Sequence, residues 1–162
     1  MTLRTLLVGR SMAWALLRAA AAGVVLIVVS RVVLSPVRAS GISMLPTYSD
    51  GQFLLLNRLA YRTSSPQRGD VVAIALAGDH AVLVKRVVGL PGERVRMEDG
   101  TLLIDDVPVA EPYVQHSAKW TVEEQALDAD EYYVVGDNRA MAAELHDFGS
   151  ASADRILGRL VW

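Results

Sequence analysis

The sequence predicts a mainly β protein: an antiparallel sheet or barrel-like body attached to one N-terminal transmembrane helix. Three observations support this class. Ala19–Ser30 carries no charge, and short runs rich in Val, Ile and Leu, separated by turns, follow from residue 52 onward. Asp99-Gly100 stands between two such runs, which is a strong hairpin signal. We therefore assign residues 1–38 to a tail and membrane anchor, and residues 39–162 to a β-rich body.

The apolar N-terminal run is the predicted anchor. Its 12 uncharged residues span about 18 Å as a helix, less than a hydrocarbon core of about 30 Å. Extension through Ser11–Leu17 or through Val32–Leu34 reaches spanning length and includes one arginine, whose long side chain can extend to the headgroups. Two alternatives remain open, a buried helix of a soluble fold and a secretory signal cleaved after Ala39.

The charges predict the orientation of the anchor and exclude one class of partner. Residues 1–38 carry five arginines and no acid, whereas the rest carries 11 Lys and Arg against 18 Asp and Glu. Three arginines precede the apolar run, so the positive-inside rule predicts a single-pass cell-membrane protein with a cytoplasmic N-terminus and an extracytoplasmic body. The acidic body would repel phosphates, which argues against nucleic-acid binding.

The body is expected to consist of short strands and one irregular insertion. The insertion covers residues 108–130, and His116, Lys119 and Trp120 within it are expected in a solvated loop, with contact to lipid or substrate as the alternative. The candidate strands are Gln52–Leu56, Val71–Leu76, Ala81–Val88, Arg94–Glu98, Thr101–Ile104, Tyr132–Val135 and Ile156–Trp162.

Lysine is rare in this chain, with two lysines against 14 arginines. Lys85 lies within AVLVKRVVG, where strand alternation places it on one face with Leu83 and Val87, and places Arg86 on the other face. Apolar neighbours remove hydration from a lysine, which lowers its pKa and allows the amine to act as a base. The alternative is a side chain that extends to the sheet edge and stays charged in water.

Other catalytic chemistries find little support in the sequence. Cysteine is absent, which excludes thiolate sites and a cysteine nucleophile. The three histidines, His80, His116 and His146, are scattered and form no zinc-protease motif. Ser43 lies in a loop bounded by Gly41 and a proline, where it is exposed as a nucleophile or is simply a turn serine.

Four separated segments together resemble the type I signal peptidases, which are membrane-anchored serine–lysine proteases. They occur in the family's order, and the match runs from about residue 40 to 160. The segments are SGISMLPT (40–47), RGDVV (68–72), KRVVGLPGE (85–93) and GDNR (136–139), the last followed by Phe148-Gly149.

The resemblance implies a role for each matching residue. Ser43 is the expected nucleophile, Lys85 is the expected general base, and the Ser43 backbone N–H is an expected oxyanion donor. The remaining expected residues line the substrate site or support the catalytic pair, with Arg86 and Asp137 as an ion pair. The lining residues are Gly41, Ile42 and Met44, and the supporting residues are Arg86, Asp137, Asn138, Arg139, Glu144 and His146.

The last segment departs from the family pattern. The family usually has a serine that hydrogen-bonds the base lysine, then an acid and an arginine, where this chain has Ala142, Glu144 and His146. The lysine therefore loses its expected hydroxyl partner, and Glu144 and His146 are a hypothetical supporting pair. Gly41 occupies the position where some members carry an oxyanion-hole serine, so a second oxyanion donor is unidentified.

The function implied by the resemblance is cleavage of signal peptides from exported preproteins after small residues, at the membrane and without a metal or cofactor. One alternative is a maturation or conjugation-type processing peptidase with a narrow substrate. Another is a non-catalytic membrane protein that binds exported chains, which would require Ser43 and Lys85 to lie apart.

Overall fold

One long helix precedes the body of the molecule. The computed structural model describes residues 3–76, 82–115 and 117–161, so His80 and His116 lie outside the described residues. Helix α1 spans Leu3–Val32. Its segment Met12–Ser30 has 19 residues with a mean hydropathy of 2.2, and by length and composition it can cross a membrane. None of this segment is buried against the body, contrary to the alternative of a buried core helix.

The body consists of antiparallel strands arranged in two sheets, which confirms the predicted class. The larger sheet has seven strands in the order β1-β2-β11-β3-β4-β9-β10, and the smaller has the order β7-β6-β5-β8. The strands are β1 Leu34–Arg38, β2 Phe53–Asn57, β3 Val71–Ala75, β4 Val82–Gly89, β5 Arg94–Glu98, β6 Thr101–Ile104, β7 Val107–Pro108, β8 Val122–Ala126, β9 Glu131–Val135, β10 Gly149–Ser152 and β11 Ile156–Leu160. Single-turn 3₁₀ helices cover Ala143–Leu145 and Ala153–Arg155.

Within the described residues, each of the seven predicted strands is present with bounds that agree to within a residue or two, and four further strands were not predicted. The predicted strand ends Ala81 and Trp162 lie outside the described residues. Strand β8 (VEEQA) lies inside the predicted irregular insertion, so that part of the prediction was wrong. Its polar side chains hide the alternation that marks a strand, and β10 (GSAS) lacks large apolar residues. Trp120 is only 4% exposed, so it belongs to the core and not to a solvated loop.

Strand β1 connects the anchor to the sheet. It pairs with β2 along its whole length, from Leu34 opposite Asn57 to Arg38 opposite Phe53. Ala39 follows as a buried residue whose N–H donates to the carbonyl of Gln52. Cleavage after Ala39 would detach a paired strand from the sheet, which favours retention of the anchor.

Strand β4 lies between β3 and β9 and contributes to both faces of the larger sheet. The body has three apolar clusters. Leu83 and Val87 pack into the cluster that contains Val72, Ile74 and Val134. Val84 packs against a second cluster, and Val88 belongs to a third. The predicted alternation of β4 is therefore confirmed, and it places Lys85 on the side of the first cluster.

Candidate active site

The loop that carries Ser43 is fixed to the segment after β9. The Asn138 N–H donates to the Ser43 carbonyl at 3.0 Å, and the Asn138 side-chain amide donates to the Ile42 carbonyl at 3.0 Å. The Thr47 hydroxyl donates to the Asp137 carboxylate at 2.5 Å. Two segments about ninety residues apart are therefore held together by three hydrogen bonds, which fix the position of Ser43.

Ser43 itself is half-buried, and its backbone N–H donates to no acceptor among the described residues. An N–H without a partner in a fixed loop can stabilise a developing oxyanion. By contrast, the Gly41 N–H donates to Asp50 Oδ1 at 2.8 Å, so this donor is engaged within the loop. Gly41 has φ +90°, a backbone conformation that glycine adopts without a steric penalty.

Lys85 is buried on β4, where it lies opposite Val72 of β3 and is only 2% exposed. Burial lowers the pKa of Lys85 below its ordinary value of 10.5, and the nearby Asp147 carboxylate partly opposes this effect. Lys85 also borders a cavity of about 220 Å³, together with Leu83, Phe148 and Arg155. The predicted loss of hydration is confirmed, and the alternative of a solvated lysine at the sheet edge is wrong.

Gly136 lies at the end of β9, against the Ser43 loop. Arg86 pairs with Val135, the last residue of β9, and continuation of this antiparallel register by one position would set Lys85 opposite Gly136. Opposite residues of two strands direct their side chains to the same face, about 5 Å apart. A Cβ on Gly136 would overlap the Ser43 carbonyl oxygen and lie 2.8 Å from His146 Nε2. The missing side chain of Gly136 therefore provides the space that the Ser43 carbonyl and the His146 ring occupy at the end of β9.

A small cleft adjoins Ser43. It has a volume of about 30 Å³ and is lined by residues of the Ser43 loop and of β4, including Met44, Tyr48 and Leu83. Leu83 also lines the larger cavity beside Lys85, so the two spaces are neighbours. Met44 is 4% exposed and lines this cleft, whereas Ile42 is 49% exposed. A cleft of this size favours a small side chain.

Arg86 and Asp137 form the predicted ion pair beneath the Ser43 loop. Arg86 Nε and Nη2 donate to the two carboxylate oxygens at 2.8 and 2.6 Å, a two-pronged geometry. The Asp137 side chain is fully buried, and that of Arg86 is 11% exposed. Arg86 also donates to the Gly69 carbonyl at 2.7 Å and lies 4.0 Å from the ring centre of Tyr113. The pair links β4 to the segment that contacts Ser43.

Arg139 has a partner that the sequence analysis missed. It is 1% exposed and donates to both carboxylate oxygens of Glu111, at 3.1 and 2.5 Å. Glu111 lies in the region predicted to be irregular, where nothing in its local pattern separates it from a surface acid. A buried arginine needs a counter-charge, so Arg139 of the GDNR segment was the signal in the sequence that an acidic partner lies elsewhere in the chain.

The hypothetical pair of Glu144 and His146 is not formed. Glu144 is exposed on the 3₁₀ turn, whereas His146 is 6% exposed with both ring nitrogens lacking a hydrogen-bond partner. Burial, with help from the Lys85 charge, lowers the pKa of His146 to about 4, so its ring is neutral near pH 7. Ala142, at the position of the expected hydroxyl partner of Lys85, is exposed.

Known proteins are similar to this chain in sequence and in fold. Residues 11–162 match the model of the family described as signal peptidase, peptidase S26. Signal peptidase I V of Bacillus subtilis strain 168 is 34% identical over 155 residues, 85% of this chain and 92% of that protein. Signal peptidase IB of Staphylococcus aureus strain Mu50 is 28% identical over 159 residues, 87% of this chain and 83% of that protein.

A solved structure gives the same indication. The crystal structure of a signal peptidase I from Enterococcus faecalis V583 matches with a TM-score of 0.50 and 27% sequence identity. The match covers 60% of this chain and 98% of that one. Family model, relatives and fold agree with the site geometry, and the chain belongs to the signal peptidase family, peptidase S26.

Proposed function

We propose that this protein is a signal peptidase I-type serine endopeptidase, with Ser43 as nucleophile and Lys85 as general base. The observation that supports the assignment is that the Ser43 backbone packs on Gly136, directly after the β9 residue that pairs with Arg86, while the cleft beside Ser43 and the cavity beside Lys85 share Leu83. The lowered pKa of Lys85 supports it, because the neutral amine is the form that can accept a proton. The substrates are the signal peptides of exported preproteins, as the names of the relatives suggest.

The geometry suggests a two-step reaction. Ser43 Oγ attacks the scissile carbonyl carbon while its proton passes to Lys85 Nζ, and the Ser43 N–H stabilises the oxyanion. Collapse of the tetrahedral intermediate breaks the C–N bond, and Lys85 returns the proton to the departing amine. A water molecule then gives a proton to Lys85 as it attacks the acyl-enzyme carbonyl, and collapse of the second tetrahedral intermediate breaks the C–Oγ bond. Lys85 returns that proton to Ser43 Oγ, which regenerates the enzyme and releases the second product as a carboxylic acid. The small cleft beside Ser43 fits the small residues expected before the cleavage site.

Cleavage of a preprotein by the full chain in detergent tests this mechanism. Ser43→Ala and Lys85→Met should each lose several orders of magnitude in kcat, because each removes a group that takes part in bond making. The chain offers matched controls in exposed Ser49 and in Lys119, the other lysine, which is also exposed. Ser49→Ala and Lys119→Met should retain activity. Wild-type activity in Lys85→Met would rule out the proposed base.

A narrow substrate range is the second candidate, and the altered last segment favours it. Residues 142 and 146, where the family pattern has a serine and an arginine, are an exposed alanine and a buried histidine here. Cleavage of a panel of unrelated preproteins distinguishes a general signal peptidase from a dedicated processing peptidase. A general signal peptidase cuts most of the panel, whereas a dedicated processing enzyme leaves most intact. Failure to cut any of them would favour the non-catalytic binder.

We also propose that helix α1 crosses the membrane with its N-terminus in the cytoplasm. The supporting observations are the apolar Met12–Ser30 segment and the excess of arginines before it. The natural absence of cysteine allows a simple test with single substitutions, Thr5→Cys and Thr63→Cys. A membrane-impermeant maleimide applied to intact cells should label only Thr63→Cys, which lies on an exposed part of the body. Labelling of Thr5→Cys alone would reverse the orientation.

A further inference from the structure

His146 combines burial with an unsatisfied capacity for hydrogen bonding. Its side chain is 6% exposed, and neither ring nitrogen makes a hydrogen bond of good geometry, although backbone groups of Asn138 and Asp147 lie near the ring. The ring packs edge-on against Trp120, with centroids 5.0 Å apart, and lies close to Phe148 and to the backbone of Gly136. A buried polar group without a partner is destabilising, so its presence at this position calls for a role.

Lys85 is the complementary group. Its side chain is buried at the border of the cavity, and its amine donates to no group of the described residues. The family's usual partner is a hydroxyl at position 142, but this chain has an exposed alanine there. An amine without a protein acceptor and a buried imidazole able to accept therefore belong to the same part of the molecule.

The backbone places these two groups in the same region. The side-chain position of Gly136 is occupied by the His146 ring, with Nε2 only 2.8 Å from where a Cβ would be, and Gly136 directly follows Val135, which pairs with Arg86, the neighbour of Lys85. Asp147 and Phe148, the residues after His146, border the same cavity as Lys85. His146 is the buried polar side chain of this segment.

We propose that His146 is a positioning residue for Lys85. The structure contains no hydrogen bond between the two, and the bond forms when the Lys85 amine turns toward the ring, which then replaces the hydroxyl missing at position 142. This inference rests on the proposed role of Lys85. The imidazole is neutral at working pH, so it can accept a hydrogen bond without adding charge. The other charged groups that face the two side chains are Asp147 and Arg155 around Lys85, and Arg139 near the ring.

Kinetics of His146→Phe and His146→Gln test the proposal. Phenylalanine keeps a planar ring against Trp120 and Gly136 but removes both nitrogens, whereas glutamine retains a hydrogen-bonding group. We expect His146→Phe to lower kcat by about ten- to hundredfold at nearly constant KM, the typical effect of one hydrogen bond to a charged group. His146→Gln should retain most of the activity, and Leu145→Ala, an exposed neighbour, serves as the control.

The pH profile separates positioning from simple packing. A neutral acceptor stabilises the ammonium form of Lys85, so its loss should move the acid limb of kcat/KM to lower pH in His146→Phe. A folded His146→Phe variant with wild-type kcat and an unchanged acid limb would overturn the proposal. If Lys85→Met is inactive while His146→Phe behaves like wild type, this inference fails and the proposed function stands.

A second measurement does not depend on the folding of a His146 variant. In protein with ¹⁵N-labelled histidine, the unprotonated ring nitrogen of His146 should shift when Lys85→Met removes the donor. His80 and His116 provide internal references for the same spectrum. An unchanged His146 signal in Lys85→Met contradicts the hydrogen bond.

Discussion

The buried ion pair beneath the Ser43 loop gives a prediction whose magnitude follows from the structure. Asp137→Ala leaves the Arg86 guanidinium, 11% exposed, without its counter-ion and removes the acceptor of the Thr47 hydroxyl. Breaking a buried pair from one side costs about 3–5 kcal/mol. Arg86 keeps the Gly69 carbonyl and the Tyr113 ring as partners, so we expect a loss near the lower limit, about 3 kcal/mol. This is a large share of a typical folding free energy of about 5–15 kcal/mol.

The assay is denaturant unfolding of the full chain in detergent, followed by circular dichroism of the β-sheet. Glu124→Ala is the control, since its pair with Arg94 joins side chains that are 41% and 47% exposed. Such exposed pairs contribute less than about 1 kcal/mol. Arg86→Met combined with Asp137→Ala should be less destabilised than the sum of the single variants, because the double variant contains no unpaired buried charge. Equal losses in Asp137→Ala and Glu124→Ala, or additive single effects, would refute the reasoning.

Three further predictions concern the site. The kcat/KM of the wild type should rise with pH through the lowered pKa of Lys85, because only the deprotonated amine acts as base; a flat profile from acid to alkaline pH would contradict this role. Gly136→Ala should abolish preprotein cleavage, since its Cβ would overlap the Ser43 carbonyl, whereas Gly23→Ala on the open surface of α1 should not. His146, with a pKa of about 4 against an ordinary 6.5, binds fewer protons in the folded state, so stability should fall as pH decreases from 6.5 to 4. Protonation of His146 should lower the free energy of unfolding by on the order of 2 kcal/mol after allowance for solvent screening. If the unfolding of His146→Phe depended on pH as strongly as that of the wild type, His146 would not be the cause.

Features that depend on neighbouring residues were predictable from the sequence. The absence of charge in Ala19–Ser30 predicted the apolar helix, and the alternation around Lys85 predicted both its face of β4 and its loss of hydration. Asp99-Gly100 predicted the turn between β5 and β6. These signals are local, because strand period, turn chemistry and hydropathy are set within a few residues. Strands β8 and β10 were not predicted, because their polar or small side chains do not show the alternation of apolar and polar residues that marks a strand.

The tertiary structure alone decided how distant segments meet. The resemblance to a family suggested that Arg86 and Asp137 pair, but it gave no indication of the bonds from Thr47 to Asp137 and from Asn138 to Ile42, or of Glu111 as partner of Arg139. These contacts join residues 28 to 96 positions apart. The face on which Lys85 lies depends on the register of β4 against β3 and β9, and a shift by one residue would turn Lys85 to the other face. The sequence determined which groups could perform the chemistry, and only the tertiary structure placed the Ser43 loop against Gly136, at the end of the strand that pairs with β4.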